Sequence, residues 1–159
     1  MNLITHLIIY NLAASLLIYG SLAYNPRLWL HRMPPEVRTK VPEKTPQERK
    51  IFLRVALLFL LLLFGYPTLY VLQGDKDLLT IFLTLVAFFA GFALWDTLVL
   101  DILIFCQLTP RFVIIHGTNR EDYSNMEYHL VSGAKGLAIS AVFSGVLAIT
   151  VTLLKNMLA

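Results

Sequence analysis

Four long apolar stretches constrain the fold of this 159-residue chain more than any other feature. They cover approximately residues 3–24, 51–72, 78–106 and 130–154. A hydrocarbon core about 30 Å thick is crossed by a helix of about 20 apolar residues, so each stretch is long enough to span a membrane. Residues 55–64 are apolar on every face, unlike the alternating pattern of a barrel strand. The sequence therefore predicts four transmembrane helices.

The composition agrees with a chain that faces lipid. Apolar residues make up 57% of the sequence and charged residues 14%, whereas a soluble domain has about 25% charged residues. No Lys or Arg precedes Arg27, so we expect the first stretch to be a retained helix and not a cleaved signal peptide. The single cysteine, Cys106, excludes an internal disulfide.

The distribution of basic residues predicts the orientation of the helices. Residues 25–50 and 107–129, with their flanks, carry eleven of the thirteen Lys and Arg residues, and the remaining two are Lys76 and Lys155. Lys and Arg concentrate in loops that stay in the cytoplasm. We therefore expect an all-α membrane protein with a single domain over residues 1–159. It would be an up-down bundle of four transmembrane helices in the plasma membrane (the inner membrane of a bacterium), with two cytoplasmic loops and both termini non-cytoplasmic.

Both predicted loops contain local structural signals. Thr45, Pro46 and Glu48 form the pattern of a helix start, with Thr at the N-cap, Pro at N1 and Glu at N3. The second helix is therefore expected to begin before its apolar stretch. In the other loop, residues 112–115 form a short apolar run that we expect to pack under the bundle or to dip into the membrane interface.

Two carboxylates in the third stretch, Asp96 and Asp101, are the main candidates for function. A charge inside a membrane span costs about 2.5 to 3.5 kcal/mol even on lenient scales, so such residues are usually paired or functional. At about 1.5 Å per residue, Asp96 lies roughly 27 Å along its helix and Asp101 roughly 35 Å. Arg54 and Lys135 lie at a similar level in the neighbouring spans. The sequence predicts an ionic cluster of these four residues at the cytoplasmic side.

This cluster allows two interpretations. Residues five apart in an α-helix differ by about 140° in direction, so each Asp could face a different helix and pair with one cation to fix the packing. Alternatively, the cluster is a site for a lipid headgroup, a small polar ligand, a proton or an ion. The candidate ligand-binding residues are then Asp96, Asp101, Arg54, Lys135, Arg111, His116 and His129. The spacing of the histidines is unlike that of a metal site, and neither a metal nor a cofactor is predicted.

A row of small residues follows one face of the fourth stretch. Its members, each four residues apart, are Ser132, Gly136, Ser140 and Ser144. Small residues at this spacing let helices approach closely. The row is expected to pack within the bundle, or against a second copy or a membrane partner, and a permeation path is the alternative. Nucleic-acid binding is not expected, because the basic loop also contains Trp29 and adjoins the membrane.

Several motifs suggest a resemblance. One is the segment 25–30 (Asn-Pro-Arg-Leu-Trp-Leu), followed by Pro34-Pro35 and Val41-Pro42. The other runs from Trp95-Asp96 through Val99-Leu100-Asp101, Phe105-Cys106 and Pro110-Arg111-Phe112 to His116-Gly117-Thr118. Over most of its length the chain resembles a family of small, uncharacterised bacterial membrane proteins with four spans. The resemblance implies the fold and transfers no activity to any residue.

Three hypotheses about function remain after the sequence has been considered. The first is a module of the cytoplasmic leaflet that binds or modifies a polar headgroup or small ligand at the Asp, Arg and Lys cluster. The second is a non-catalytic assembly or partner subunit that uses the row of small residues. The third is an oligomeric transport unit for an ion or small solute. The sequence contains no catalytic motif that would indicate whether the protein is an enzyme.

Overall fold

The computed structural model describes residues 2–158 and contains four long helices. They are α1 (Leu3–Tyr24), α2 (Pro46–Leu72), α3 (Leu78–Leu108) and α4 (Met126–Leu158). The chain is 83% helical, and no strand occurs among residues 2–158. Each of the four helices is long and apolar enough to cross a membrane. The predicted all-α four-helix bundle is therefore confirmed.

The helix starts follow from local capping. The side chain of Asn2 accepts a hydrogen bond from the backbone N–H of Thr5 at the start of α1. At the start of α2, Thr45 accepts from the N–H of Glu48, and Glu48 accepts from the N–H of Thr45. This reciprocal pair satisfies two of the backbone donors that a helix N-terminus leaves free. The predicted early start of α2 is confirmed.

A π-helical turn interrupts α2 just before its proline. The helix is α over Pro46–Leu60, π over Leu61–Gly65 and α again over Tyr66–Leu72. Pro67 has no N–H to donate to the carbonyl of Leu63 four residues earlier. The hydroxyl of Tyr10 in α1 donates to that carbonyl at 3.2 Å. A neighbouring helix thus provides a donor at the position where the proline lacks one.

The second half of α3 is also π-helical. The helix is α over Leu78–Trp95 and π over Asp96–Leu108, and it ends at Thr109, whose positive φ of 40° breaks the helix. In a π-helix the backbone bonds join residues five apart, so residues i and i+5 lie about one turn from each other. This changes which side chains share a face of α3.

The segments between the long helices at one end of the bundle fold into a cap, which we define as residues 26–45 and 109–125. The cap contains short helices at Pro26–Arg32, Pro35–Arg38, Arg111–Val113 and Arg120–Tyr123. Its hydrophobic core includes Val113 and Ile115, which pack with residues at the ends of α1 and α3. The apolar run 112–115 therefore packs under the bundle, one of the two outcomes expected for it.

The opposite end of the bundle contains both ends of the described chain. Here the turn at residues 73–77 joins α2 to α3, and we call this the hairpin end. Lys155 of α4 donates to the carbonyl of Gly74 at 2.6 Å, and His6 of α1 bonds to the hydroxyl of Tyr66 at 2.8 Å. The helices therefore alternate in direction. Large apolar side chains such as Leu16 and Val142 are exposed on the outer faces, where a membrane protein contacts lipid.

Candidate functional site

A cavity of about 300 Å³ lies between the bundle and the cap. All four long helices and the segment Pro26–Arg32 contribute to its lining. The polar lining residues are Tyr19, Arg32, Asp96, Asp101, Tyr128, His129 and Ser132. The other lining residues, which are apolar or aromatic, are Ile18, Leu22, Trp29, Met33, Phe59, Phe92, Leu100 and Phe105. Apolar walls with a few convergent polar groups are typical of a binding site for a small molecule.

The π-helical part of α3 brings both carboxylates to this cavity. Asp96 begins the π segment, and Asp101 follows five residues later, one π turn along the helix. Both line the same cavity. The interpretation in which each Asp faces a different helix used the angle of about 140° of an α-helix, which does not apply to this π-helical segment.

Asp101 is paired with His129 of α4. The Nδ1 of His129 lies 2.9 Å from the Oδ2 of Asp101, a distance at which the ring N–H donates to the carboxylate. Only 3% of His129 is exposed. Among residues 2–158, the other ring nitrogen, Nε2, is buried and has no hydrogen-bond partner. If the ring is neutral, its one N–H is on Nδ1, where it donates to the carboxylate, and Nε2 is then a hydrogen-bond acceptor.

Asp96 has no protein partner in the part of the chain that the structure describes. The three ion pairs of this part join Arg27 to Glu48, Lys40 to Asp122 and Arg49 to Glu43, and a fourth short contact joins the imidazole of His129 to Asp101. Asp96 takes part in none of them and accepts no side-chain hydrogen bond there. The one Arg or Lys residue that lines the cavity is Arg32, an exposed residue from the cap. The cavity thus combines a partly buried free carboxylate with a free guanidinium.

Two hydrogen bonds hold aromatic side chains of the cavity wall in place. The hydroxyl of Tyr19 in α1 donates to the carbonyl of Leu100 in α3 at 2.8 Å. The indole N–H of Trp29 donates to Oγ of Ser21 at 2.7 Å. Both bonds occupy the polar atoms of large aromatic side chains, whose rings then form rigid walls for the cavity.

Close packing of α3 and α4 sets the distance between Asp101 and His129. Gly133 lies one turn beyond His129, and a Cβ added there would approach Thr97 closely, with Cγ2 of Thr97 at 2.7 Å. The Thr97 hydroxyl donates to the carbonyl of Ala93 at 2.7 Å, which fixes that side chain. Glycine at position 133 therefore permits the approach of the two helices at the level of the cavity.

The predicted ionic cluster does not form as a whole. Arg54 and Lys135 are exposed, do not line the cavity, and make no ion pair within residues 2–158. Long basic side chains near helix ends keep their charge in water or among headgroups while their stems lie along apolar surface. The depth of a residue along the helix does not report its direction around the helix. This expectation therefore fails for Arg54 and Lys135.

The remaining candidates divide in the same way. His129 lines the cavity, whereas Arg111 and His116 are exposed parts of the cap outside it. The structure adds Arg32, Tyr19 and Tyr128, which the sequence did not indicate as site residues. The sequence signal for Arg32 was its place near Trp29 in a basic loop that adjoins the membrane.

The row of small residues packs inside the monomer. Ser140 and Ser144 are buried, and a Cβ added to Gly136 would lie 3.8 Å from the Cβ of Ala93 in α3. Ser132, the first member, lines the cavity. Gly136, Ser140 and Ser144 therefore pack within the bundle.

An aromatic layer separates the cavity from the hairpin end. Tyr10, Phe88 and Phe92 are buried together with Ala14, and the rings of Tyr10 and Phe88 meet edge to face with centroids 5.2 Å apart. Phe92 belongs both to this layer and to the cavity wall. The cavity therefore ends at packed rings.

The described residues contain no group of three or more His, Cys, Asp and Glu side chains arranged to hold a metal ion.

Fold and site together define a four-helix bundle with a cavity at its capped end, where a few polar groups lie between apolar walls. No family model, curated protein or solved structure matches the chain. The resemblance to small bacterial membrane proteins stays a prediction.

Proposed function

We propose that this protein is a multi-pass membrane protein that binds the polar head of an amphipathic ligand in the cavity between bundle and cap. The observation that carries the proposal is the composition of the cavity lining. Asp96, Asp101 and His129 supply polar groups, while aromatic and aliphatic side chains form the remaining walls. Ionisable groups inside membrane spans are costly, and a ligand that uses them explains their presence.

The pair of Asp101 and His129 gives the site a capacity for acid–base chemistry. A carboxylate that bonds Nδ1 orients the imidazole and stabilises its protonated form. Nε2 is buried here, so it would accept a proton from a bound hydroxyl or water only after a side-chain movement that opens it to the cavity. In the described chain Nε2 has no partner, so Ser132 is not hydrogen-bonded to it. Modification of the bound headgroup would therefore proceed without a serine nucleophile of the kind found in a triad.

We further propose that the cap faces the cytoplasm of a bacterial cell. The eleven basic residues of the cap and its flanks support this orientation through the positive-inside rule. The ligand would then come from the cytoplasmic leaflet, whose headgroups adjoin the cap.

Filling the cavity tests the proposed function. Ser132→Phe places a ring in the cavity, whereas Ala138→Phe adds the same ring to an exposed position of the same helix. We expect the wild type and Ala138→Phe to retain a co-purified lipid in native mass spectrometry. Ser132→Phe should weaken the affinity for the lipid at least about tenfold, a change of about 1.4 kcal/mol in binding free energy. The mass of the retained lipid also reports whether it has been modified.

Circular dichroism of each variant shows whether the helical content is kept. Equal lipid retention by the two phenylalanine variants, with unchanged helicity, would contradict binding in the cavity. If Ser132→Phe does not fold, Leu100→Phe repeats the experiment from α3, where Leu100 lines the same cavity.

The two alternative functions stay predictions with less support. An assembly subunit would need a contact other than the row of small residues, because Ser140 and Ser144 are buried in the monomer. A transport unit would need a polar path to the hairpin end, where the layer of Tyr10, Phe88 and Phe92 is packed.

A further inference from the structure

We propose that the ligand is a phospholipid with a primary amine in its headgroup. The ammonium group would lie between Asp96 and Asp101, and the phosphate would bind Arg32. This inference rests on the proposed function and names the class of ligand that the same cavity takes. The choice of ligand follows from the signs of the charges that line the cavity and from their positions relative to the cap.

The two carboxylates favour a cation. Asp96 and Asp101 lie one π turn apart and line one cavity, and two carboxylates that share a site repel each other. One oxygen of Asp101 accepts from His129, while Asp96 has no partner among the described residues. A ligand ammonium carries three N–H donors and one positive charge, which matches the acceptors that remain.

His129 fixes Asp101 in the wall of this cavity. The side chain is almost fully buried, and its Nε2 is buried without a hydrogen-bond partner among residues 2–158. Its Nδ1 lies 2.9 Å from one carboxylate oxygen of Asp101. His129 therefore acts on the site through Asp101, whose second oxygen stays available to a ligand.

Arg32 favours a phosphate at the rim. It comes from the short helix Pro26–Arg32, which directly follows the end of α1, and its side chain is exposed. The planar guanidinium binds phosphate through two parallel hydrogen bonds. Arg32 takes part in none of the ion pairs of the described chain, so its donors are available.

The order of these groups matches the order of groups in a lipid. In an aminophospholipid the amine is terminal, the phosphate follows, and the acyl chains come last. Asp96 and Asp101 belong to the transmembrane helix α3, whereas Arg32 belongs to the cap. An amine that enters first would meet the carboxylates while its phosphate meets Arg32.

The number of donors distinguishes a primary amine from a quaternary one. A primary ammonium can donate to Asp96 and to the free oxygen of Asp101. A choline group has no N–H and leaves all of these acceptors unsatisfied. A site built from acceptors rejects ligands that lack the donors, since its buried polar groups stay unpaired.

Competition between lipids tests the inference. The protein is mixed with equal amounts of phosphatidylethanolamine, phosphatidylcholine and phosphatidylglycerol with identical acyl chains, and bound lipid is counted by native mass spectrometry. We expect phosphatidylethanolamine to be preferred at least about tenfold over both others. Asp96→Asn should abolish the preference over phosphatidylcholine, and Arg32→Gln should weaken binding of phosphatidylethanolamine.

Matched controls use charges outside the cavity. Asp75→Asn removes an exposed carboxylate from the turn at the hairpin end, and Arg54→Gln removes an exposed guanidinium of α2. Both variants should keep the preference of the wild type. Free phosphoethanolamine at a hundredfold excess should not displace the lipid, because it lacks the acyl chains.

Each other outcome overturns the inference in a recognisable way. Equal binding of the three lipids would show that headgroup charge is not recognised, and a preference for phosphatidylglycerol would show an anion site. Displacement by free phosphoethanolamine would assign the site to a soluble ligand. In the first two cases a lipid still binds, so the proposed function survives and Ser132→Phe tests it separately. Displacement by free phosphoethanolamine, or no binding of any lipid, would contradict both proposals.

Discussion

At the scale of single residues, buried hydroxyl groups hold the cap together. The hydroxyl of Tyr123 accepts from the backbone N–H of Ile115 at 2.9 Å and bonds to Oγ1 of Thr118 at 2.8 Å. Tyr123 itself is fully buried in the core of the cap. One phenol oxygen therefore satisfies a backbone donor and a hydroxyl group that water does not reach.

We expect Tyr123→Phe to destabilise the cap. The substitution keeps the ring but leaves the N–H of Ile115 without its partner, a loss of roughly 1–3 kcal/mol. Thermal unfolding of the purified protein in detergent measures the effect. Tyr24→Phe is the control, because Tyr24 is 72% exposed. Equal unfolding temperatures for the two variants would show that the Tyr123 hydroxyl contributes nothing to stability.

At the scale of elements, the contact of α3 with α4 determines the site. The π segment Asp96–Leu108 presents Asp96 and Asp101 on one face, and α4 presents His129 to that face. Gly133 lets the helices meet next to this pair, where a Cβ would collide with the side chain of Thr97. The geometry of the contact between His129 and Asp101 thus depends on the absence of a side chain at one position.

We expect Gly133→Ala to lower stability and to reduce lipid binding. In an unobstructed helix the same change is favourable by up to about 1 kcal/mol, so a loss would show that the collision with Thr97 dominates. Gly91→Ala is the matched control, because no atom lies within 4 Å of a Cβ added there. Thermal unfolding and native mass spectrometry measure both effects. A Gly133→Ala protein as stable as Gly91→Ala would contradict the role given to this contact.

At the scale of the whole molecule, the two ends of the bundle differ in character. The cap end combines the cavity, the ion pairs of the cap and most of the basic residues. The hairpin end consists of a short turn and apolar packing around Val71, Ile81 and Val151. An unequal distribution of basic residues between the two ends is what the positive-inside rule leads one to expect of a multi-pass membrane protein.

Labelling of single cysteines tests the orientation. In intact cells, a thiol reagent that cannot cross membranes should label Asp75→Cys at the hairpin end. Glu43→Cys in the cap should react only after the membrane is disrupted, because the basic residues around it favour the cytoplasm. The wild type is the blank, since its one cysteine, Cys106, is buried. The reverse pattern would place the cavity at the outer leaflet.

Much of the fold could be predicted from local properties of the sequence. The hydropathy of a segment depends only on its own residues. The four apolar stretches therefore predicted the four helices, with errors of a few residues at their ends. Capping is equally local, and Thr45 with Glu48 indicated the start of α2 correctly. For the site, the cost of a carboxylate in a span singled out Asp96 and Asp101, and both line the cavity.

Tertiary structure alone decided how these residues are arranged. The π-helical turn at Asp96 rotates Asp101 onto the same face, and no count of residues along an ideal helix contains that rotation. The packing of α4 against α3 places His129 next to Asp101. The fold of the cap places Arg32 at the cavity, whereas Arg54 and Lys135 lie outside it. Apolar length is a property of one segment, whereas direction around a helix and the choice of an ionic partner depend on neighbours distant in sequence. For that reason the sequence predicted a bundle with a charged end, and the tertiary structure selected the residues that share its cavity.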